Sequence, residues 1–183
     1  MTTTIHSAPI ISTGRSGRRE AERQAIRSLI AETLGEDAVL SHHDDGAPYL
    51  ATHPDIHISV SHCIDECVLA ISPEPVGVDI ETARPTLERI ASKFLTPAEQ
   101  ARGPYPLTTL MQLWSAKEAV FKCARIPTLV VSAIDISPDL TTATIYLDGT
   151  PRRFTLTYPL LTTSRVITLA TSGEQYLIDR TNI

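Results

Sequence analysis

Three cysteines, one tryptophan and eight glycines are few for 183 residues, and aromatic residues make up only 5% of the chain. An odd, small number of thiols does not build a disulfide framework and fits a reducing compartment. Cys63 and Cys67 are the one close pair. His62 beside them brings zinc to mind, but the spacing is loose and no second close pair completes a tetrahedral set. No apolar run approaches the roughly 20 residues needed to cross a bilayer. Met1 to Ser12 lacks the basic segment and apolar stretch of a secretory leader. The expectation is a cytoplasmic protein without a membrane partner. An excess of basic charge is missing as well. The formal net charge is -5, and no basic strip interleaved with aromatics is present, so nucleic acid is not the expected partner. Any phosphate site has to be local.

What the chain does have is 42% apolar residues, enough for one compact domain or two small lobes. From Gly17 to Leu34, apolar residues recur at helical spacing (Ala25, Ile26, Leu29, Ile30, Leu34) and stop at Gly35, which predicts a first helix. A polar turn around Asp44 to Pro48 follows. His57–Val60 and Cys67–Ser72 then read as a strand hairpin. Pro73-Glu74-Pro75 interrupts the strand pattern, and Val76–Glu81 resumes it at once. This joint divides the chain into an N-terminal lobe, 1–74, and a C-terminal lobe, 75–183. Beyond it, Leu87–Phe94 and Pro97–Arg102 predict short helices, with Thr96 and Glu99 spaced as a capping box around Pro97. Leu107–Ala124 is the strongest helix, with Leu110, Leu113, Trp114, Val120, Phe121 and Ala124 on one stripe. Ala133–Ile136, Ala143–Leu147, Phe154–Tyr158 and Val166–Ala170 read as strands. The order of elements predicts an α+β fold and not an alternating parallel sheet.

Three segments carry chemistry. In Val76-Gly77-Val78-Asp79-Ile80-Glu81, strand alternation sets Val78 and Ile80 on one face and Asp79 and Glu81 on the other. Two carboxylates this close raise each other's pKa unless a cation sits between them, and oxygen donors select a hard ion such as Mg²⁺. Read alone, the pair is more often a solvated outer face. In Trp114-Ser115-Ala116-Lys117-Glu118-Ala119-Val120-Phe121-Lys122, Glu118 and Lys122 stand one turn apart, the spacing of a surface ion pair. Lys117 falls inside the apolar stripe. Its ammonium must snorkel out or meet a buried anion. The third segment, Ile58-Ser59-Val60-Ser61-His62-Cys63, ends a β-like run in a Ser-His pair. Without a Gly-x-Ser-x-Gly elbow or a third member, the pair does not describe a serine hydrolase.

Together these segments resemble the signature of the 4′-phosphopantetheinyl transferase superfamily, specifically its single-chain surfactin-synthetase-activating branch. Ser59-Val60-Ser61-His62 looks like the family's first motif, Gly77 to Glu81 its Gly-Val-Asp-Ile-Glu motif, and Trp114 to Lys122 its Trp-x-x-Lys-Glu-Ala-x-x-Lys motif. Phe94 to Glu99 is similar to the Phe-x-x-x-x-Glu segment between the last two. The likeness spans about residues 15 to 125.

The resemblance implies an enzyme that moves the phosphopantetheine arm of coenzyme A onto a serine of an apo acyl or peptidyl carrier protein. It implies two α+β lobes related by a pseudo-twofold, with the active site in the cleft between them, in a monomer. Mg²⁺, or Mn²⁺ in its place, would be held by Asp79, Glu81 and Glu118. Lys117 and Lys122 would face phosphate oxygens, and His62 would contact coenzyme A near its 3′-phosphate. Glu81, or a metal-bound water beside it, would take the proton of the carrier serine. Arg15, Arg18, Arg19 and Arg23 are the basic residues available to the 3′-phosphate, and Arg15 and Arg19 are the two favoured. The chain departs from many relatives at Gly46-Ala47-Pro48, where the family pattern is Gly-Lys-Pro. The missing cation implies weaker coenzyme A affinity, or substitution by His42 and His43. A coenzyme A or carrier-binding module without turnover and a metal-dependent nuclease are the rival readings.

Overall fold

The computed structural model describes residues 2–11, 14, 17–172 and the backbone of a last strand, Ile178–Asp179. The chain opens with strand β1 (Thr3–Pro9), where Thr3 and Ile5 alternate into the interior. No element was expected before Gly17, because a single seven-residue stretch of threonine, histidine and serine has little apolar signal. Helix α1 (Arg18–Leu34) follows and stops where Gly35 takes φ 100°, a left-handed cap that a side chain would strain. It buries Leu29 and Ile30. The short strands β2 (Leu40–His42) and β3 (Pro48–Leu50) form a separate ribbon. The expected hairpin is present as β4 (His57–His62) and β5 (Glu66–Ser72), paired antiparallel from His57 opposite Ser72 to His62 opposite Cys67.

After Pro73 to Pro75 come β6 (Val76–Thr82), α2 (Thr86–Phe94), α3 (Pro97–Arg102) and α4 (Leu107–Ala124). The capping box forms as read. Thr96 accepts from the Glu99 amide, and the Glu99 carboxylate accepts from the Thr96 amide at 2.8 Å. Ala133 closes a 3₁₀ turn (Val131–Ala133), so the strand expected over Ala133–Ile136 shrinks to β7 (Asp135–Ile136). Strands β8 (Thr142–Leu147), β9 (Thr150–Leu161) and β10 (Arg165–Thr171) complete the run, and β11 (Ile178–Asp179) ends it. β9 extends past the expected Phe154–Tyr158 on both sides. Pro159 is tolerated because the β9–β10 register shifts there, leaving its missing N–H without a required partner.

The strands form two main sheets, ordered β11-β1-β5-β4 and β6-β10-β9-β8-β7. Sheet membership changes between β5 and β6, and β11 returns to pair in parallel with β1. The sheets share one apolar layer. Ile5, Val68 and Ala70 from the first pack with Val78, Ile80, Ile167 and Leu169 from the second. α4 covers the other face of the second sheet in the largest core, and α1 covers the first sheet over Leu69 and Ile71. The α+β expectation is met. Among the described residues, no helix is long and apolar enough to cross a membrane.

Candidate active site

Gly77 lets β6 and α4 approach each other closely. A Cβ added there would stand 1.9 Å from the Ala119 carbonyl oxygen and 2.7 Å from the Cys123 amide nitrogen, so only hydrogen fits. With the two backbones this close, the acids of β6 and the polar positions of α4 share one region. Trp114, Glu118 and Lys122 recur every four residues along α4, which keeps them on one face.

Lys122 Nζ donates to Asp79 Oδ1 at 2.8 Å and to the Val78 carbonyl at 3.0 Å. β4 supplies the second hold on Asp79. The Ser61 hydroxyl donates to the same Oδ1 at 2.8 Å, while Ser59 Oγ accepts the Val78 amide at 2.9 Å. Both serines are buried. The serines of the first motif therefore bind β4 to β6, and His62 continues past them to the surface of the site. Glu81 has both oxygens occupied, by the Thr82 amide at 2.8 Å and by Arg84 at 2.8 Å.

Asp79, Glu81 and Glu118 line one cavity of about 440 Å³, together with Arg18, His62, Cys63, Arg84 and Trp114. Burial pushes the Glu118 carboxyl above its ordinary value, and the charges of Asp79 and Glu81 push it further, against an opposing pull from Lys122. Three carboxylates with mutual repulsion around one cavity suit a hard divalent cation, and their oxygens are the right donors. Among the described residues, no three acidic, histidine or cysteine side chains yet converge as a ready-made metal site. Lys122 and Ser61 both engage one oxygen of Asp79, Oδ1, while Thr82 and Arg84 engage the two oxygens of Glu81. The donor set fits the ion.

Lys117 is a correction. Its side chain is fully buried and lies 2.8 Å from Glu99 Oε2, also fully buried, with a further hydrogen bond to the Ile134 carbonyl. The buried anion is a carboxylate of the protein, not a phosphate. Phe121 also departs from the expected core stripe and is 39% exposed. It lines a second cavity of about 380 Å³, between Gly46-Ala47-Pro48, Ile58 to Val60 and the end of α4 at Lys122 and Arg125. Neither His42 nor His43 lines either cavity, and Lys122 and Arg125 are the cations that line the second one with Ala47.

His62 lines the first cavity, with Nδ1 at 3.6 Å from Glu22 Oε1. Glu22 also accepts from Arg18 Nε at 2.8 Å. Arg18, available from the sequence but ranked behind Arg15 and Arg19, is thus the α1 arginine on the cavity wall. Arg19 is exposed and lines neither cavity, and Arg15 lies outside the described residues. The i, i+4 spacing of Arg18 and Glu22 was visible, but nothing in it pointed at His62. Arg84 was missed for a similar reason, being separated from Glu81 by a bend. Among the described residues, the thiols belong to no cluster that could hold a metal ion. Cys63 donates to Asp65 and Cys67 to the Ala8 carbonyl, and burial raises both pKa values.

Comparison with known proteins agrees with this geometry. The model of the 4′-phosphopantetheinyl transferase superfamily matches residues 75–170, which carry Asp79, Glu81, Glu118 and Lys122. A 4′-phosphopantetheinyl transferase of Bacillus subtilis is 35% identical over 107 residues, covering 54% of this chain and 48% of the relative. The 4′-phosphopantetheinyl transferase Sfp of the same species is 31% identical over 105 residues, 53% of this chain and 47% of the relative. Enterobactin synthase component D of Shigella flexneri is 34% identical over 80 residues, 40% and 39% of the two chains. The chain spans about half the length of these Bacillus relatives. With a family match over more than half its residues, and with the acids of that match gathered on one cavity, the chain belongs to the 4′-phosphopantetheinyl transferase superfamily.

Proposed function

We propose that this protein transfers 4′-phosphopantetheine from coenzyme A to a serine hydroxyl of an apo acyl or peptidyl carrier protein and releases 3′,5′-ADP, with Mg²⁺ or Mn²⁺ required. The observation that carries the reading is the single cavity on which Asp79, Glu81 and Glu118 meet Arg18 and His62. Acids for a cation and basic groups for phosphate line one space, as a pyrophosphate substrate demands. The ion, when bound to the three carboxylates, would neutralise charge on the departing nucleotide and polarise the phosphorus.

The protein's own groups do the rest. Arg18 and His62 take the 3′-phosphate end of coenzyme A, with Arg18 in the place first expected of Arg19. Lys122, already near the acids, offers its ammonium to phosphate oxygens once Asp79 turns to the cation. Glu81 takes the proton as the serine oxygen forms its bond to phosphorus and the pyrophosphate P–O bond breaks. The two halves, 1–74 and 75–183, act as lobes, with coenzyme A lying across their joint and the reaction positioned by binding more than by covalent chemistry. The reading includes a monomer acting in the cytoplasm, where the buried, free thiols Cys63, Cys67 and Cys123 stay reduced.

Intact-mass measurement of purified apo carrier proteins, after incubation with this protein, coenzyme A and Mg²⁺, tests the proposal. A gain of one phosphopantetheine group that EDTA abolishes is the expected result. No gain on fatty-acid, polyketide or peptide-synthetase carriers, with coenzyme A still bound, would leave a binding module in its place.

A further inference from the structure

Arg165 opens β10, far in sequence from the first motif, yet its guanidinium reaches into the first sheet. Nη2 donates to both carboxylate oxygens of Asp65, at 2.7 and 2.9 Å, and Nη1 donates to Glu66 Oε2 at 2.6 Å. The arginine's own backbone is fixed, since its amide donates to Thr162 Oγ1 at 2.9 Å and its carbonyl accepts from the same hydroxyl at 3.0 Å. A fork held at its base and engaged by two carboxylates has little freedom.

What it grips is the β4–β5 turn, and that turn is a wall of the candidate active site. Cys63 and Ile64 line the cavity, and the Cys63 carbonyl accepts from Arg18 Nη2 at 3.3 Å. The tip of the turn has little packing to hold it, whereas Cys63 beside it is buried in the core the sheets share. Ile64 is 67% exposed and the Asp65 side chain 58%. Inside the turn, Asp65 Oδ1 accepts the Cys63 thiol at 3.2 Å, and the Asp65 carbonyl accepts the Ile10 amide at 2.8 Å. The Arg165 contact holds the Asp65 carboxyl below its usual pKa range, as expected for a carboxylate whose charged form is engaged.

We propose that Arg165 is a positioning residue for coenzyme A: by bridging β10 to Asp65 and Glu66 it sets the distance between the β4–β5 turn, with Arg18 and His62 beside it, and the carboxylates of β6. The inference rests on the coenzyme A reading above. It assigns Arg165 no contact with substrate. Its effect passes through the turn to Arg18, whose guanidinium is shared between Glu22 and the Cys63 carbonyl.

The test is calorimetric titration of coenzyme A, with Mg²⁺ present, into the wild type and the variants Arg165→Met, Arg165→Lys and Asp65→Asn, alongside KM and kcat on a carrier. Arg165→Met should weaken coenzyme A binding about tenfold, as a displaced binding wall does, and raise KM more than it lowers kcat. Arg165→Lys should recover part of the loss, since an ammonium replaces the charge but not the fork. Asp65→Asn cuts the bridge from its exposed end and should act in the same direction, which decides the matter if Arg165→Met does not fold. Lowered melting temperatures with unchanged coenzyme A affinity and KM would make the bridge purely structural and overturn the proposal. A wild type that binds no coenzyme A would instead bring down the functional reading, and the inference with it.

Discussion

Lys117 Nζ and Glu99 Oε2 meet at 2.8 Å with neither side chain exposed to solvent. Glu99 also accepts the Thr96 amide at the start of α3 and the Ile136 amide in β7, each at 2.8 Å. One carboxylate thus joins α3, α4 and β7. Burial lowers the Lys117 pKa, and the Glu99 hydrogen bond and charge oppose that shift. Removing one partner of a buried pair strands the other charge. Lys117→Met should therefore destabilise the protein by about 3–5 kcal/mol in urea unfolding. Combining it with Glu99→Gln removes the stranded charge but keeps an acceptor for only one of the two amides, which bond different oxygens of Glu99, and should recover only part of the loss.

Gly77→Ala tests the approach of β6 to α4. The added Cβ would meet the Ala119 carbonyl, a backbone atom of a buried helix that cannot swing aside. Overpacking of this kind costs about 1–3 kcal/mol or more. Thermal unfolding should show a lowered midpoint, and coenzyme A binding should weaken as Asp79 and Glu118 move apart.

Glu118→Gln should separate stability from activity. Burial and the neighbouring charges of Asp79 and Glu81 already disfavour an ionised Glu118. The neutral amide removes that repulsion, so the metal-free variant should melt at a higher temperature than the wild type. Its transfer rate should fall at least about 100-fold, because an oxygen ligand and its charge are lost. A lower melting temperature would mean that Glu118 is stabilised by contacts outside the carboxylate cluster.

Arg18 and Arg19 are adjacent, and one substitution at each distinguishes their roles. Arg18 stands on the cavity wall beside His62, and Arg19 faces solvent. Arg18→Met should weaken coenzyme A binding about tenfold and flatten its salt dependence, whereas Arg19→Met should leave both near the wild-type value. Equal effects would place the nucleotide over the outer face of α1.

Much of the architecture was legible before any coordinates. The span of α4 agrees with the sequence reading at both ends, and α1, α2 and α3 agree to within a residue. In each case a helical apolar period coincides with a cap or a breaker, two local signals pointing to the same boundary. β1 was not legible. Its residues have no strong strand pattern, and they are ordered by pairing with β5, more than 55 residues further on.

By itself, the sequence determined the local elements, the i, i+4 placement of Trp114, Glu118 and Lys122, the alternation that puts Asp79 and Glu81 on one face, and the family to which those motifs belong. Tertiary structure alone decided which anion Lys117 meets, which α1 arginine reaches the cavity, that Arg84 occupies Glu81, and that Arg165 grips a turn 100 residues away. Periodicity reports which way a side chain faces along its own element. It carries no information about which distant element will be packed there, and electrostatic partners in a folded protein are set by that packing.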